Sequence, residues 1–182
     1  MNTGIISMRY ARALFVYTEH EAVSDEVFRE METLARNFAL EPRLRPALVT
    51  PILGTRDKIA LIKSAISERV TRQTWRFIRL VVRNQRESML QSIALNYLSL
   101  YRKSRNINVV SLETVVPLAP ETEERIKALV HTQTGGTVEL RKRLNPNLIG
   151  GFIFQMNFQR IDGSIASQLT DIKKHFINEH RQ

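Results

Sequence analysis

Two short stretches near the C-terminus hold residue types that could do phosphate or acyl-transfer chemistry. Gly150 and Gly151 are typical of loops that bind phosphate, and Ser164, close to Asp162, is a potential nucleophile. A phosphate-binding loop lies between a strand and a helix and usually ends in Lys and Ser or Thr. Here Phe152 instead begins a strand-like run. The pattern therefore favours a structural turn over a phosphate site.

A nucleophilic serine also needs a base, and the histidines do not supply one. All four lie near the ends of predicted helices among polar neighbours, and none has metal-ligand spacing: His20, His131, His175 and His180. The five-residue separation of the last two does not place two ligands on one helical face. The sequence therefore predicts no catalytic residue, no metal ligand and no cofactor-binding residue.

Backbone geometry gives the two stretches a different meaning. Paired glycines permit a positive φ or a close approach of two backbones, and Asp-Gly favours a bend. The hydroxyl of Ser164 is placed to cap the final helix. We therefore predict a structural scaffold of turns and strands that rests on seven residues: Leu148, Ile149, Gly150, Gly151, Asp162, Gly163 and Ser164.

Five arginines form the most regular charge pattern in the chain. They recur at spacings of four and three, which puts them on one stripe of one helix: Arg72, Arg76, Arg79, Arg83 and Arg86. Such a stripe is typical of a contact surface for an acidic protein or for nucleic acid, and equally of a solvated helix face. The lack of a nucleic-acid-binding motif and of an aromatic stacking platform disfavours nucleic acid. A protein partner stays open, because arginine binds carboxylates in a bidentate manner.

The first predicted helix carries a small residue among large ones. Ala11 lies beside Tyr10, Leu14 and Phe15, which makes a ridge with a notch. Periodicity alone favours plain core packing for this ridge. The same surface could form a groove in which a partner helix lies.

The elements that position these residues change in kind near residue 107. Before it, apolar residues recur at three and four, which predicts a bundle of five to six short helices over residues 1–106. After it, the pattern predicts strand, helix, strand, strand, strand and helix over residues 107–182, with the first two strands parallel. The final helix is indicated by Ile165, Leu169, Ile172 and Phe176. The predicted fold class is mostly α, with a helical domain followed by a small α/β domain.

Composition agrees with two folded domains. The chain has 182 residues, 43 % of them apolar, and its net charge of +9 divides into +8 over residues 1–107 and +1 over residues 108–182. It has no cysteine, which excludes disulfides and cysteine-ligated metal sites. No apolar run approaches the roughly 18 residues of a membrane span, and residues 1–15 do not show the pattern of a secretory signal, so we expect none. We expect a soluble intracellular protein.

With these residues in place, the chain resembles the delta subunit of the F-type ATP synthase, whose mitochondrial counterpart is the oligomycin-sensitivity-conferring protein. The resemblance covers essentially the whole length. It rests on residues 9–15, on residues 82–86 and 90–97, and on the C-terminal pair 145–152 and 161–165. The C-terminal pair, in this order and spacing, is the most specific of these regions.

The resemblance implies a non-catalytic stator subunit that links the catalytic head to the peripheral stalk, so that proton transport is coupled to ATP synthesis. It implies that the helical domain grips the N-terminal helix of an alpha subunit with its first and fifth helices, and that the α/β domain binds the b subunits. The implied contact residues on the two helices are Tyr10, Ala11, Leu14, Trp75, Phe77, Ile78 and Val81.

The same resemblance implies a place in the cell and a state of assembly. We expect a peripheral protein on the cytoplasmic face of the bacterial inner membrane, without insertion into the membrane. We also expect a monomer within a hetero-oligomer that does not bind nucleic acid directly. The alternative is a basic nucleic-acid-binding adaptor, motivated by the net charge and the arginine stripe. A small enzyme has no motif to support it.

Overall fold

The computed structural model describes residues 3–67, 69–156 and 159–169. The chain divides into two compact units, Met1–Ser104 and Arg105–Gln182. The first is a helical bundle and the second a small α/β unit, which confirms the predicted fold class.

Short amphipathic helices build the first unit, and their apolar faces meet in one core. The helices, in chain order, are α1 (Thr3–His20), α2 (Ser24–Leu40), α3 (Leu44–Val49), α4 (Thr55–Ser64), α5 (Arg72–Arg83) and α6 (Leu90–Ser104). A short 3-10 turn, Glu87–Met89, leads into α6. The core holds side chains from all six helices, and every member comes from this unit.

Tyr97 of α6 lies at the centre of this core and is fully buried. Its hydroxyl lies 2.9 Å from Thr18 Oγ1 of α1 and donates to the carbonyl of Ser24 at 3.2 Å. The ring also makes an edge-on contact with Phe15 at 6.0 Å between centroids. One buried residue therefore joins α1, α2 and α6. Its burial raises the pKa of Tyr97 to about 12.

The start of α5 is held by α2 through a carboxylate. Glu30 accepts from the backbone N–H of Thr71 at 2.5 Å and from its hydroxyl at 2.9 Å. The hydroxyl oxygen of Thr71 in turn accepts from the N–H of Thr74 at 3.2 Å, which caps the helix. These contacts fix where α5 begins and therefore which of its faces meets α1.

The second unit is a four-stranded sheet with one described crossover helix. Its elements are β1 (Ile107–Thr114), α7 (Pro120–Thr134), β2 (Thr137–Leu144), β3 (Phe152–Met156) and β4 (Gln159–Asp162). The strand order is β2-β1-β3-β4, and β1 pairs with β2 in parallel, as predicted for a strand-helix-strand crossover. The β1–β3 and β3–β4 pairs are antiparallel. Residues 165–169 are helical, whereas Ile172 and Phe176 of the predicted final helix lie outside the described residues.

Candidate protein-binding site

Helices α1 and α5 lie side by side and leave a groove between them. Two polar contacts bridge the pair: Asn84 Nδ2 donates to the hydroxyl of Tyr10 at 2.9 Å, and Arg76 Nη1 donates to the hydroxyl of Tyr17 at 3.2 Å. The rings of Tyr10 and Phe77 also meet edge-on at 6.3 Å. Because the later residue of α1 meets the earlier residue of α5, the two helices run antiparallel. The two tyrosines are seven positions apart, which gives the groove about 10 Å of length between these bridges.

The α1/α5 groove is apolar at its floor and basic at its rim. Its volume is about 830 Å³, and it is lined by Ile6, Arg9, Tyr10, Ala13, Leu14, Tyr17, Arg76, Phe77, Leu80, Asn84 and Arg86. None of these lining residues is acidic. The buried residues of α5 face the bundle core, whereas Leu80 lies outside that face and is 41 % exposed. An open apolar groove with arginines beside it matches an amphipathic helix with carboxylates along its edges.

The seven contact residues implied by the resemblance fall in three different places. Tyr10, Leu14 and Phe77 line the α1/α5 groove, although Leu14 and Phe77 are themselves largely buried members of the bundle core. The side chains of a second group are buried in the bundle core and do not line the groove: Ala11, Ile78 and Val81. Trp75 lies on the opposite flank of α5, beside α4.

Sequence reasoning missed several residues of this groove. The sequence predicted a notch at Ala11, but Ala13 is the alanine that is exposed and lines the groove. Leu80 also lines the groove, and the sequence analysis did not predict it. The signal for Ala13 was weak because α1 carries apolar residues on more than one face; Ile5 and Val16 are both exposed. Periodicity therefore could not tell which alanine faces the core.

In the second unit the two C-terminal stretches pack directly against each other. The N–H of Gly163 donates to the carbonyl of Phe152 at 2.9 Å, and the N–H of Ile165 donates to the carbonyl of Gly150 at 3.0 Å. Gly151 has φ +80°, and a Cβ placed there would lie 2.1 Å from the carbonyl oxygen of Gly163. Gly151 is thus required by both a left-handed conformation and a close approach of two backbones.

Asp162 and Ser164 form a cap at the start of the final helical turn. Ser164 Oγ donates to Asp162 Oδ1 at 2.7 Å and accepts from the N–H of Ser167 at 3.2 Å, which is the predicted capping role. The N–H of Ser164 and the hydroxyl of Ser167 also donate to the Asp162 carboxylate. The hydrogen bonds from Ser164 hold the pKa of Asp162 below its ordinary value, and the hydrogen bond from Ser167 makes a smaller contribution. The serine hydroxyl is engaged in structure, not poised as a nucleophile.

An exposed apolar groove lies between the end of β1, helix α7 and the 149–152 segment. Its volume is about 900 Å³, and it is lined mainly by Leu112, Val115, Val116, Leu118, Ile126, Leu129, Val130, Ile149, Phe152, Phe154 and Ile161. Ile149 has φ +65°, a conformation that is costly for a β-branched residue, and its side chain is 65 % exposed. Strain that holds an apolar side chain in solvent is typical of a contact site.

Two other features are absent from residues 3–67, 69–156 and 159–169. This part of the chain contains no group of three or more His, Cys, Asp or Glu arranged to hold a metal ion. It also contains no helix both long and apolar enough to cross a membrane.

Known proteins share both the sequence and the fold. Residues 6–176 match the family model described as ATP synthase delta (OSCP) subunit. The chain is 42 % identical to the ATP synthase subunit delta of Phocaeicola vulgatus, over all of this chain and 99 % of that protein. It is 32 % identical to the subunit delta of a Synechococcus species, over 88 % of each chain. Its fold matches a chain in the mitochondrial ATP synthase hexamer of Toxoplasma gondii with a TM-score of 0.72, at 18 % identity, over 94 % of this chain and 97 % of that one.

Proposed function

Because the chain belongs to the ATP synthase delta (OSCP) subunit family, and is thus part of an ATP synthase complex, we propose that it is a non-catalytic stator subunit. In this role it joins the catalytic head to the peripheral stalk, so that the head does not turn with the rotor. Rotation driven by proton transport is then coupled to ATP synthesis. The two units carry the two attachments: residues 1–106 bind the head, and residues 107–182 bind the stalk.

The observation that carries the proposal is the α1/α5 groove. Its floor offers apolar side chains to a partner helix, and its rim offers three arginines to carboxylates on that helix: Arg9, Arg76 and Arg86. The partner that fits this role is the N-terminal helix of an alpha subunit. Tyr10, Leu14 and Phe77 are the contact residues that line the groove, and Ala13 and Leu80 complete its floor.

The attachment to the stalk is supported by the exposed apolar groove of the second unit. Ile149, Phe152 and Ile161 present apolar side chains to solvent around it. Patches of this kind on a folded unit mark protein interaction sites. The proposed occupants are the b subunits of the peripheral stalk. The complete protein would then be peripheral, on the cytoplasmic face of the bacterial inner membrane.

A joint that resists torque needs slow dissociation, and the two grooves have the means to provide it. Nanomolar affinity corresponds to about −12 kcal/mol. Interfaces of this strength rely on aromatic and arginine anchors at their centre. The α1/α5 groove contains both, in Tyr10, Phe77 and Arg76.

Binding of a labelled peptide tests the head attachment. The peptide copies the N-terminal helix of the alpha subunit from the same organism, and fluorescence anisotropy measures its binding to the full-length protein. We expect saturable binding that survives moderate salt. In the Ala13→Tyr variant the added ring fills the groove, so binding should weaken at least about 100-fold, which is roughly 2.8 kcal/mol.

Ala128→Tyr is the matched control, because Ala128 is also exposed on a helix, α7, but lines none of the three grooves. This control should bind the peptide as the parent protein does. If the Ala13→Tyr variant binds the peptide equally well and its circular dichroism spectrum is unchanged, the α1/α5 groove is not the binding site for the catalytic head. Tight binding of an oligonucleotide in place of the peptide, lost steeply as salt rises, would favour the nucleic-acid adaptor.

A further inference from the structure

A second groove lies on the other flank of α5, between α5 and α4. Its volume is about 710 Å³, and it is lined by Thr55, Arg56, Ile59, Ala60, Lys63, Trp75, Arg76, Arg79, Leu80 and Arg83. Arg76 and Leu80 line this α4/α5 groove and the α1/α5 groove alike. Helix α5 is therefore a wall shared by two grooves, and the arginine stripe is divided between them.

The far wall of the α4/α5 groove is rigidly placed. Lys58 of α4 forms an ion pair with Glu87 at 2.7 Å, in which both side chains are largely buried. At the end of α4, Asn37 Nδ2 donates to the carbonyl of Ala65 at 2.7 Å. Both contacts tie α4 to the rest of the bundle from outside the groove. These contacts hold α4 in the position that forms the groove.

The charges that line this groove are all of one sign. Five cationic residues line it, and none of its lining residues is acidic. Within the described residues, no ion pair joins a carboxylate to Arg56, Lys63, Arg79 or Arg83. Arg76 is engaged with the hydroxyl of Tyr17, which is neutral. Five like charges along one concave surface repel one another and favour an acidic occupant.

The floor between these charges is apolar. The ring of Trp75 and the side chain of Ile59 are each half-buried, and Leu80 and Ala60 are exposed beside them. Trp75 is the only tryptophan of the chain. Tryptophan flanked by arginines is the composition typical of interface centres.

From this arrangement we propose that the α4/α5 groove is a second docking site, and that its occupant is an acidic amphipathic helix. The walls are 10 and 12 residues long, which gives about 15–18 Å and accommodates roughly three helical turns. An apolar face of the occupant covers Trp75 and Ile59. Carboxylates on its two edges pair with the arginines of α5 and with Arg56 and Lys63 of α4.

A protein helix fits this groove better than nucleic acid does. A phosphate backbone would pair with the cations but would leave the apolar floor uncovered. Single-stranded nucleic acid binds through successive aromatic platforms, whereas this groove has one aromatic ring, that of Trp75. The inference does not depend on what occupies the α1/α5 groove, because the grooves share only Arg76 and Leu80, and substitutions at Ala13 or at Arg79 and Arg83 each affect one groove alone.

Emission of Trp75, excited at 295 nm, reports occupancy directly in the full-length protein. The probe is a synthetic 14-residue helix with Leu and Phe on one face and Glu on both edges. We expect it to shift the emission in a saturable manner. The same peptide with Lys in place of Glu should bind at least about tenfold more weakly, since it meets like charge.

Paired charge reversals locate the site. In the Arg79→Glu/Arg83→Glu variant the probe should bind at least about tenfold more weakly. The Arg29→Glu/Arg36→Glu variant changes the net charge by the same amount on exposed positions of α2, so it should lose less than about threefold. Binding should persist in Ala13→Tyr, and the Arg79→Glu/Arg83→Glu variant should still bind the alpha-subunit peptide.

Three results would overturn the proposal. The first is the absence of a saturable emission change up to about 1 mM probe, because a specific interface has a Kd well below that concentration. The second is an equal loss of binding in both double variants. The third is tighter binding of a single-stranded oligonucleotide that displaces the acidic peptide. None of these results bears on the α1/α5 groove, whose own test is Ala13→Tyr with the alpha-subunit peptide.

Discussion

Tyr97 shows how one buried hydroxyl can organise a bundle of short helices. Helices of this length are marginal alone and gain their stability from tertiary packing. The hydroxyl of Tyr97 is within hydrogen-bond distance of Thr18 and donates to the carbonyl of Ser24, so it specifies how α1 and α2 approach α6. The position therefore demands a tyrosine rather than a phenylalanine of similar shape.

Replacing Tyr97 by phenylalanine tests this role. Tyr97→Phe removes the buried hydrogen bonds that the hydroxyl makes with Thr18 and Ser24, so we expect a loss of about 1–2 kcal/mol in the free energy of unfolding. Urea unfolding followed by circular dichroism measures it. Tyr101→Phe is the control: its hydroxyl bonds to Asp25 at an exposed site, and it should lose no more than about 0.5 kcal/mol. Equal losses would refute a special role for Tyr97.

The same residue gives the bundle an alkaline limit. Since burial raises the pKa of Tyr97 from its ordinary value of 10.0 to about 12, its neutral form is favoured in the folded state. Its contribution to stability is complete below pH 10 and is lost as the pH rises through 12. Absorbance at 295 nm should show one tyrosine ionising near pH 12, a step that is absent in Tyr97→Phe.

Protonation of Asp162 at low pH should lower the stability of the second unit. Its folded-state pKa is lowered, mainly by the hydrogen bonds from Ser164, so its contribution to stability is present above the ordinary value and lost as the pH falls through the lowered one. We expect carbon-detected NMR titration to give Asp162 a midpoint below that of an unstructured aspartate. Ser164→Ala should move the midpoint upward, and by more than Ser167→Ala does. An unchanged midpoint in Ser164→Ala would contradict the cap.

Among the turns that join the elements, Gly135 is needed only for its positive φ, whereas Gly151 is needed for a positive φ and for a close backbone approach. Substitutions at the two glycines distinguish these two causes. Gly135 ends α7 at φ +67° with nothing within 4 Å of an added Cβ, whereas Gly151, at φ +80°, has the backbone of Gly163 in the way. We expect Gly135→Ala to cost about 1 kcal/mol from conformation alone. Gly151→Ala should cost at least about 1 kcal/mol more in thermal or urea unfolding, because the hairpin must also move.

The control for this pair is Gly4→Ala, since Gly4 lies in α1, in the other unit, with open space around it. It should leave stability unchanged or slightly raised. If Gly135→Ala and Gly151→Ala cost the same, the close approach of the two C-terminal stretches contributes nothing beyond backbone conformation.

Periodicity was sufficient to predict the elements because the type and order of helices and strands depend on local patterns. The helix-strand transition near residue 107 and the parallel β1–β2 pair were confirmed. The sides of helices were harder to assign. Ala11 and Ala13 have the same side chain, and only the packing of α1 against its neighbours determines that the first is buried and the second lines a groove.

The same limit applies to α5, which has a groove on each flank. The spacing of the five arginines predicted one stripe on one helix, which is wrong for Arg86: α5 ends at Arg83, and the chain turns at Asn84 and Gln85, where Gln85 has φ +55°. Arg86 lines one groove, Arg79 and Arg83 line the other, and Arg76 lines both. A sequence pattern gives the angle of each residue around its own helix. It does not say which neighbouring helix stands at that angle, so the two grooves became visible only in the fold.

At the scale of the whole molecule, charge is concentrated where docking is proposed. Residues 1–107 carry a net charge of +8, and both grooves of α5 are bordered by arginines. The second unit is nearly neutral and exposes apolar side chains instead. Salt should therefore weaken binding to the first unit more than binding to the second, although binding to the first unit still survives moderate salt because its groove is also apolar.

The division into two units leads to a prediction about the isolated first unit. Every member of its core cluster lies within residues 11–98, so no contact with the second unit is needed to complete that core. We expect a fragment of residues 1–106 to unfold cooperatively with the circular dichroism of a helical bundle, and to bind the alpha-subunit peptide within about threefold of the affinity of the full-length protein. Thermal unfolding and anisotropy titration measure the two properties. A fragment that folds but binds at least about tenfold more weakly would mean that residues 107–182 contribute to the head attachment, and a fragment without a cooperative transition would mean that the bundle is not an independent domain.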